Sequence, residues 1–207
     1  DLLHDMRLLL TAIFTALVVW IVGLAVPVTA SYIICAVITA PAMIKLGVPD
    51  FAVHMFIFYY AVLSEVSPPT ALSPFAAAAI TGGGPYRTTL QSWKYCAPAF
   101  LVPFMFVLDP AGVGLLLTGS FKTLGQADWG AIARVTVTAA CGIAALAGGL
   151  QGWLLRKTNL LERWMLIIAG LMLVYPAPLF DYIGFALVAI VVVLQKMRGM
   201  AIKPAPQ

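Results

Sequence analysis

The chain has 207 residues, of which 62% are hydrophobic and 10% charged, and its formal net charge is +4. Soluble domains are about 45–50% apolar and about 25% charged, so this composition excludes a soluble enzyme and a disordered chain. The cations are scattered singly between apolar runs, which is typical of the loops of a membrane protein and not of a nucleic-acid-binding surface. The composition therefore indicates an integral membrane protein.

Long apolar runs predict membrane-spanning helices. Residues 8–44 contain no Asp, Glu, Lys or Arg, and neither do residues 135–155 and 164–180. A helix needs about 20 apolar residues to cross about 30 Å of hydrocarbon, and the alternation over about ten residues that marks a β-barrel strand is absent. The predicted fold is all-α: a polytopic helical bundle with one re-entrant hairpin and one helix broken by a Pro-Pro pair.

The first apolar run is too long for one crossing and is interrupted in its middle. Pro27 removes a backbone donor and disfavours helix just before it, and Gly23 is a poor helix former. Either one long helix kinks at Pro27, or helices over 8–24 and 28–44 form a re-entrant hairpin with its tip at 23–31. Because about 37 helical residues would extend about 55 Å, well beyond the bilayer core, we favour the hairpin.

A second interruption follows the polar connection at 45–50. The helix predicted over 51–64 meets the segment Ser-Pro-Pro-Thr at 67–70, and two consecutive prolines cannot lie in a helix interior. Helix resumes over 71–80 and ends at a glycine-rich loop, 81–87. The sequence thus predicts a second helix–break–helix element.

Further helices are predicted after this loop. Their expected ranges are 95–117 (anchored by Trp93 and Lys94 and bent at Asp109-Pro110), 131–155, 160–175 and 179–195. A polar connection is expected at 119–130, and Asn159 with Glu162 forms a capping-box pattern. We divide the chain into 1–94, 95–155 and a C-terminal hairpin with a basic tail, 156–207.

The positive charges orient this arrangement. Threaded through the predicted spans, most basic residues fall on the face that carries Arg156, Lys157 and Lys196. The positive-inside rule makes that face cytoplasmic. The same rule is satisfied if Pro27 only kinks a crossing helix, so the charges do not decide between the two interpretations of the first run.

The two breaks are the candidate functional elements. Open backbone is tolerated in hydrocarbon only where protein buries it or a cavity hydrates it, and secondary transporters use such breaks as ion sites. Free carbonyls and the hydroxyls of Thr29, Ser31, Ser67 and Thr70 are hard oxygen ligands that, without clustered carboxylates, suit a monovalent cation. The alternative is that these prolines only kink spanning helices.

Glu65 is the only carboxylate between residues 51 and 109, and an ionisable group at membrane depth indicates function. Three roles stay open for it: holding a coupling ion, carrying a proton, or bonding the open backbone. His54 is expected to pack rather than to bind a ligand. The signatures His-Glu-x-x-His, Gly-x-Ser-x-Gly and the Walker loop are absent, so no catalytic residue and no enzyme activity are predicted.

Several segments, in order, resemble the large membrane subunit of TRAP (tripartite ATP-independent periplasmic) transporters. They are residues 23–32, Ala40-Pro41, 46–49, His54, Phe58-Tyr59 and 63–71. The variant most similar is the fused permease that works with TAXI-type binding proteins. The resemblance implies a subunit of the bacterial or archaeal inner membrane that couples uptake of organic acids to a sodium gradient. Substrate is delivered by a periplasmic binding protein and moved by an elevator-type motion.

The resemblance also implies a site. Its sodium ligands would lie at the hairpin tip and at the Pro-Pro break: Gly23, Pro27, Thr29, Ser67, Pro68 and Thr70. Ser31 and Glu65 are the substrate-binding candidates beside them, and no cofactor besides sodium is implied. Relatives often have Gly-Met-Gly at 23–25, where this chain has Gly-Leu-Ala. Ala25 in place of glycine stiffens the tip, and this bears on which carbonyl oxygens there serve as ligands.

The family's membrane part has many more helices than this chain. We therefore expect a C-terminal portion of a longer permease, with the remainder or a small membrane subunit completing the site. The alternative function is a membrane scaffold or assembly subunit in which the breaks serve packing only. A polytopic membrane enzyme ranks third, because acid–base residues are scarce.

Overall fold

The computed structural model describes residues 2–108, 129–175 and 178–201. Throughout these ranges the regular structure is helical, apart from one isolated bridge between Trp153 and Lys157, and the all-α prediction is confirmed. Within these ranges, four helical segments are long and apolar enough to cross a membrane: Leu3–Gly23, Val28–Lys45, Trp129–Gln151 and Leu179–Arg198. The predicted bend at Asp109-Pro110, most of the connection at 119–130 and the end of the basic tail lie outside the described residues.

The α-helices of the described ranges are, in chain order, α1 (Leu2–Gly23), α2 (Val28–Lys45), α3 (Asp50–Leu63), α4 (Leu72–Thr81), α5 (Pro85–Cys96), α6 (Val102–Val107), α7 (Trp129–Gln151), α8 (Leu160–Val174) and α9 (Pro178–Ala201). Two short 3-10 turns occupy Ser64–Val66 and Ala97–Phe100. The chain forms two compact units, Asp1–Ile132 and Ala133–Gln207.

The first unit begins with a helical hairpin. α1 ends at Gly23 and α2 begins at Val28, and the two helices contact each other as well as α3. The break near Pro27 therefore turns the chain back, so the chain forms a helical hairpin here and not one kinked helix. That this hairpin is re-entrant stays a prediction, since both of its helices are long enough to span a membrane. At 1.5 Å per residue, the 22 residues of α1 extend about 33 Å, enough to cross a bilayer core.

The second break also lies where the sequence predicts it. α3 ends at Leu63, a 3-10 turn follows, and α4 starts at Leu72 beyond the two prolines. α4 ends at Thr81, and Gly82 caps it with a φ of +72°, in the left-handed region that is common at helix C-termini. The predicted loop at 81–87 is too long, because Pro85 starts α5: a proline at the first helical position loses no hydrogen bond.

The single span predicted over 95–117 is wrong in its described part. α5 runs to Cys96, a 3-10 turn follows, and α6 covers only Val102–Val107. Pro98 and Pro103 cause this division, because neither has an amide N–H to continue a helical ladder.

In the second unit, α7 packs closely on α8 through glycines. A Cβ atom added to Gly170 would lie 2.8 Å from the Gly142 carbonyl oxygen and 2.9 Å from the Leu146 nitrogen, so only glycine fits there. Small residues of this kind let membrane helices approach closely. The buried core of the unit contains Ala145, Leu166 and Val191.

The ends of these helices refine the predictions. α7 stops at Gln151, before Gly152 with its φ of +78°, and so ends four residues earlier than expected. The capping box at the start of α8 is confirmed: the Asn159 N–H donates to the Glu162 carboxylate at 3.0 Å. Helix α9 continues past Lys196, which therefore lies in a helix and not in a tail.

Candidate functional site

The hairpin tip is a four-residue turn held by Ser31. The Ser31 hydroxyl, which is fully buried, donates to the carbonyl oxygens of Val26 and Pro27 at 3.1 Å each. The Ser31 N–H also donates to the Pro27 carbonyl, at 2.9 Å. These bonds satisfy carbonyls that the break at Pro27 would leave open, and they fix the direction in which α2 leaves the tip.

The Pro-Pro break is an extended segment anchored by a second serine. Ser67 has φ −99° and ψ 140°, and a cis peptide bond joins Pro68 to Pro69. The fully buried Ser67 hydroxyl donates to the Leu63 carbonyl at 2.9 Å, while its own carbonyl accepts from Ala71 at 3.1 Å. The backbone is therefore open over 67–70 but held at both ends.

The elements that lead into the two breaks touch each other. A Cβ atom added to Gly23 would lie 2.3 Å from the Ser64 Oγ and 2.7 Å from its Cβ. α1 also contacts the 3-10 turn as a whole. Ser64 is buried, and its hydroxyl donates to the Ala61 carbonyl at 2.6 Å. The last residue of α1 is thus packed against the first residue of the 3-10 turn that precedes the second break.

The candidate residues differ in exposure. Ser67 is fully buried, and Gly23, Glu65 and Pro68 are half-buried. Pro27, Thr29 and Thr70 are exposed in this chain. Among the described residues, no hydrogen bond joins the side chains of Thr29 and Thr70, and Glu65 forms neither a hydrogen bond nor an ion pair.

Sequence reasoning misses Ser64, the residue that joins the breaks. In the sequence, only its position directly before Glu65 draws attention to Ser64. Its contact with Gly23 at the end of α1 is visible only in the structure. A second missed contact is the hydrogen bond between the Tyr32 hydroxyl and His54 Nδ1, 2.9 Å long, which ties α2 to α3. His54 does pack, as expected, against the Tyr32 ring, and it also forms this polar tie.

An apolar cavity of about 250 Å³ lies among residues of α1, α3, α5 and α6 and of the 3-10 turn between α5 and α6. Aromatic side chains dominate its lining: Trp20, Tyr60, Trp93, Phe100 and Phe104. The Tyr60 hydroxyl donates to the Phe100 carbonyl, so the polar group of the Tyr60 side chain already has a hydrogen-bond partner. Such a lining does not suit an organic anion, so the breaks remain the candidate site.

A polytopic helical membrane protein whose two interrupted helices meet has the arrangement that secondary transporters use for ions. The family model for the tripartite ATP-independent periplasmic transporter, DctM component, matches residues 2–121. This is more than half of the chain, and the chain belongs to that family. No curated protein and no solved structure matches it.

Family membership defines the role of the chain in general terms. It is a multi-pass inner-membrane permease component of a TRAP transporter. Such transporters work with a periplasmic binding protein and with other membrane components. The expected membrane location is confirmed.

Proposed function

We propose that the chain is the permease component of a sodium-coupled symporter that imports organic acids delivered by a TAXI-type periplasmic binding protein. The observation that carries this proposal is the contact of Gly23 with Ser64, because it joins the end of the helix that leads into the first break to the turn that leads into the second. Oxygen atoms from both breaks can then share one cation. The resemblance to fused permeases supports the TAXI-type partner.

The proposed sodium ligands are carbonyl and hydroxyl oxygens of the two breaks, from Gly23, Pro27, Thr29, Ser67, Pro68 and Thr70. The Ser67 hydroxyl donates its hydrogen bond to the Leu63 carbonyl. The lone pairs of its oxygen therefore remain available to a cation. Pro68 and Pro69 have no N–H groups to compete for nearby carbonyls. Exposure of Thr29 and Thr70 supports a site that is completed by the remainder of the permease or a small membrane subunit.

Ser31 and Glu65 are the proposed substrate-side residues. The Ser31 hydroxyl already bonds two tip carbonyls, so its role is to shape the tip against which the substrate lies. The Glu65 carboxylate has no ionic partner among the described residues. It would repel an organic acid directly, so we place sodium or a proton between the two anions.

The test is sodium-specific stabilisation of the purified transporter. A ligand present at about 100 times its Kd raises the free energy of unfolding by about 2.7 kcal/mol if only the folded state binds it. We expect a higher melting temperature in sodium than in potassium at equal ionic strength. Ser67→Ala and Thr70→Ala should remove that difference while the protein still inserts normally.

Thr39→Ala is the matched control, since the Thr39 hydroxyl donates to the Cys35 carbonyl within α2, outside both breaks. It should keep the full sodium effect. Retention of the sodium effect in both Ser67→Ala and Thr70→Ala would remove these side chains from the site.

The alternative function is a scaffold or assembly subunit. One observation favours it: the hydroxyls of Ser31, Ser64 and Ser67 all donate to nearby backbone carbonyls, so these three hydroxyl protons have partners without an ion. This alternative predicts equal melting temperatures in sodium and potassium for the unaltered protein. The same measurement therefore separates the two functions.

A further inference from the structure

Positive charge is concentrated at the end of the second unit where α7 leads into α8. The described cations there are Arg156, Lys157, Arg163, Lys196 and Arg198. The one described carboxylate among them is Glu162, which is 4% exposed. This end of the unit therefore carries a strong positive excess, and it lies outside the residues that the family model matches.

A buried polar network fixes the loop that carries two of these cations. The Gln195 side chain, fully buried, accepts from the N–H groups of Leu155 and Arg156 at 3.2 Å each. Its amide group donates to Glu162 at 3.2 Å. The backbone of the loop between α7 and α8 is thus bound to both α8 and α9, and Lys196 directly follows the residue of α9 that holds it.

Two of the five cations are already engaged. Arg198 pairs with Glu162, and the Arg163 guanidinium donates to two carbonyls at the end of α7, at 3.0 and 3.2 Å. The others have exposed side chains and no ion pair among the described residues: Arg156, Lys157 and Lys196. Three positive charges are therefore available to an anion.

Large apolar side chains are exposed at the same end of the unit. Their exposed fractions are 63% for Trp153, 58% for Trp164, 72% for Leu160 and 70% for Leu161. Tryptophan at a helix end is typical of the membrane–water interface. A ligand that meets both the free cations and this apolar rim needs an anionic head and a hydrocarbon tail.

We propose that this end of the second unit binds an anionic phospholipid. Arg156, Lys157 and Lys196 hold its phosphate, and Trp153 and Trp164 lie against its glycerol and acyl chains. Basic clusters at membrane helix ends recognise anionic headgroups, and each cation near such a surface contributes about a fivefold gain in affinity. Three together give about a 100-fold preference over a zwitterionic lipid.

The experiment uses the full chain, purified in detergent and incubated with phosphatidylglycerol or phosphatidylcholine, with retained lipid counted by native mass spectrometry. Phosphatidylglycerol should be retained in preference. The triple variant R156Q/K157Q/K196Q should lose about 100-fold in apparent affinity for it. The matched control R7Q/K45Q/R87Q removes three exposed cations from the first unit and should bind as the unaltered chain does.

Three results would overturn the proposal: equal retention of both lipids, unchanged phosphatidylglycerol binding in the triple variant, or an equal loss in the control. Displacement of the lipid by inorganic phosphate would indicate a free-phosphate site instead. A triple variant that keeps its lipid but loses another membrane subunit of the transporter would indicate a protein interface, which also contradicts the proposal.

Circular dichroism checks that the variants fold. If the triple variant does not fold, the salt dependence of the unaltered chain decides the question. Binding to three cations must weaken steeply as sodium chloride is added. Phosphatidylglycerol retention that is constant with salt would contradict the proposal without any variant.

Discussion

Gly23 is where the two interrupted helices come into contact, since no room exists for a β-carbon between it and Ser64. We expect Gly23→Ala to lower the free energy of unfolding by about 1–3 kcal/mol, the usual cost of overpacking a close contact. Chemical denaturation of the purified protein in detergent measures this change.

Gly84→Ala is the control for that variant, because nothing lies within 4 Å of a Cβ atom added there and its φ of −72° is ordinary. It should change the stability by no more than about 0.5 kcal/mol. Equal effects of the two substitutions would show that Gly23 is not a tight contact.

The Tyr32–His54 pair is a second point at which one residue ties two helices together. Tyr32→Phe removes the hydroxyl that bonds His54 Nδ1 at 2.9 Å, while the ring keeps its edge contact with Phe58. We expect a loss of about 1 kcal/mol, the usual net value of such a hydrogen bond.

A double-mutant cycle with His54→Leu isolates that bond. The two single changes should not add, because either one alone removes the interaction. Full additivity of the two effects would mean that the hydrogen bond contributes nothing to stability.

At the scale of elements, proline decides where helices stop, and it does so locally. The breaks at Pro27 and at Pro68-Pro69 follow from missing N–H groups and are therefore predictable from sequence. The same residue explains the errors: Pro85 opens a helix where a loop is expected, and Pro98 divides an expected span. A proline fits well at the first position of a helix but breaks a helix interior. Which of these two positions a proline occupies depends on where the neighbouring structure lets the helix start.

The contact of α7 with α8 is a pairing of two helices through glycine against backbone atoms. Gly170→Ala would bring a Cβ atom within 2.9 Å of two backbone atoms of α7, which cannot rotate away as a side chain can. We expect a loss of about 2–3 kcal/mol, toward the upper end for overpacking. Denaturation in detergent, with helix content followed by circular dichroism, measures it.

Ala144→Val serves as its control, because Ala144 lies on the exposed side of α7. Adding volume there should leave stability within about 0.5 kcal/mol of the unaltered chain. A comparable loss in both variants would argue against close packing at Gly170.

At the scale of the whole molecule, the residues that this chain contributes to each proposed site belong to one compact unit. The sodium site draws on residues before 132, and the lipid site on residues after 133. Ser67→Ala should therefore abolish sodium-specific stabilisation and leave phosphatidylglycerol retention unchanged. R156Q/K157Q/K196Q should do the reverse.

Melting temperatures in sodium and potassium, together with native mass spectrometry on the same samples, test this separation. A single variant that changes both readouts would show that the two proposed sites are coupled. Such coupling would contradict the assignment of each function to its own unit.

The sequence alone determined the membrane class, the two interrupted helices and the capping box of α8, because hydropathy, missing N–H groups and Asn159 with Glu162 act over a few residues. Only the tertiary structure decided that Gly23 meets Ser64 and that Gln195 holds the loop at Arg156. These contacts join residues some 40 positions apart, and their geometry depends on how whole helices pack. Close packing of helices is a property of paired surfaces, and a one-dimensional pattern does not encode which surfaces pair.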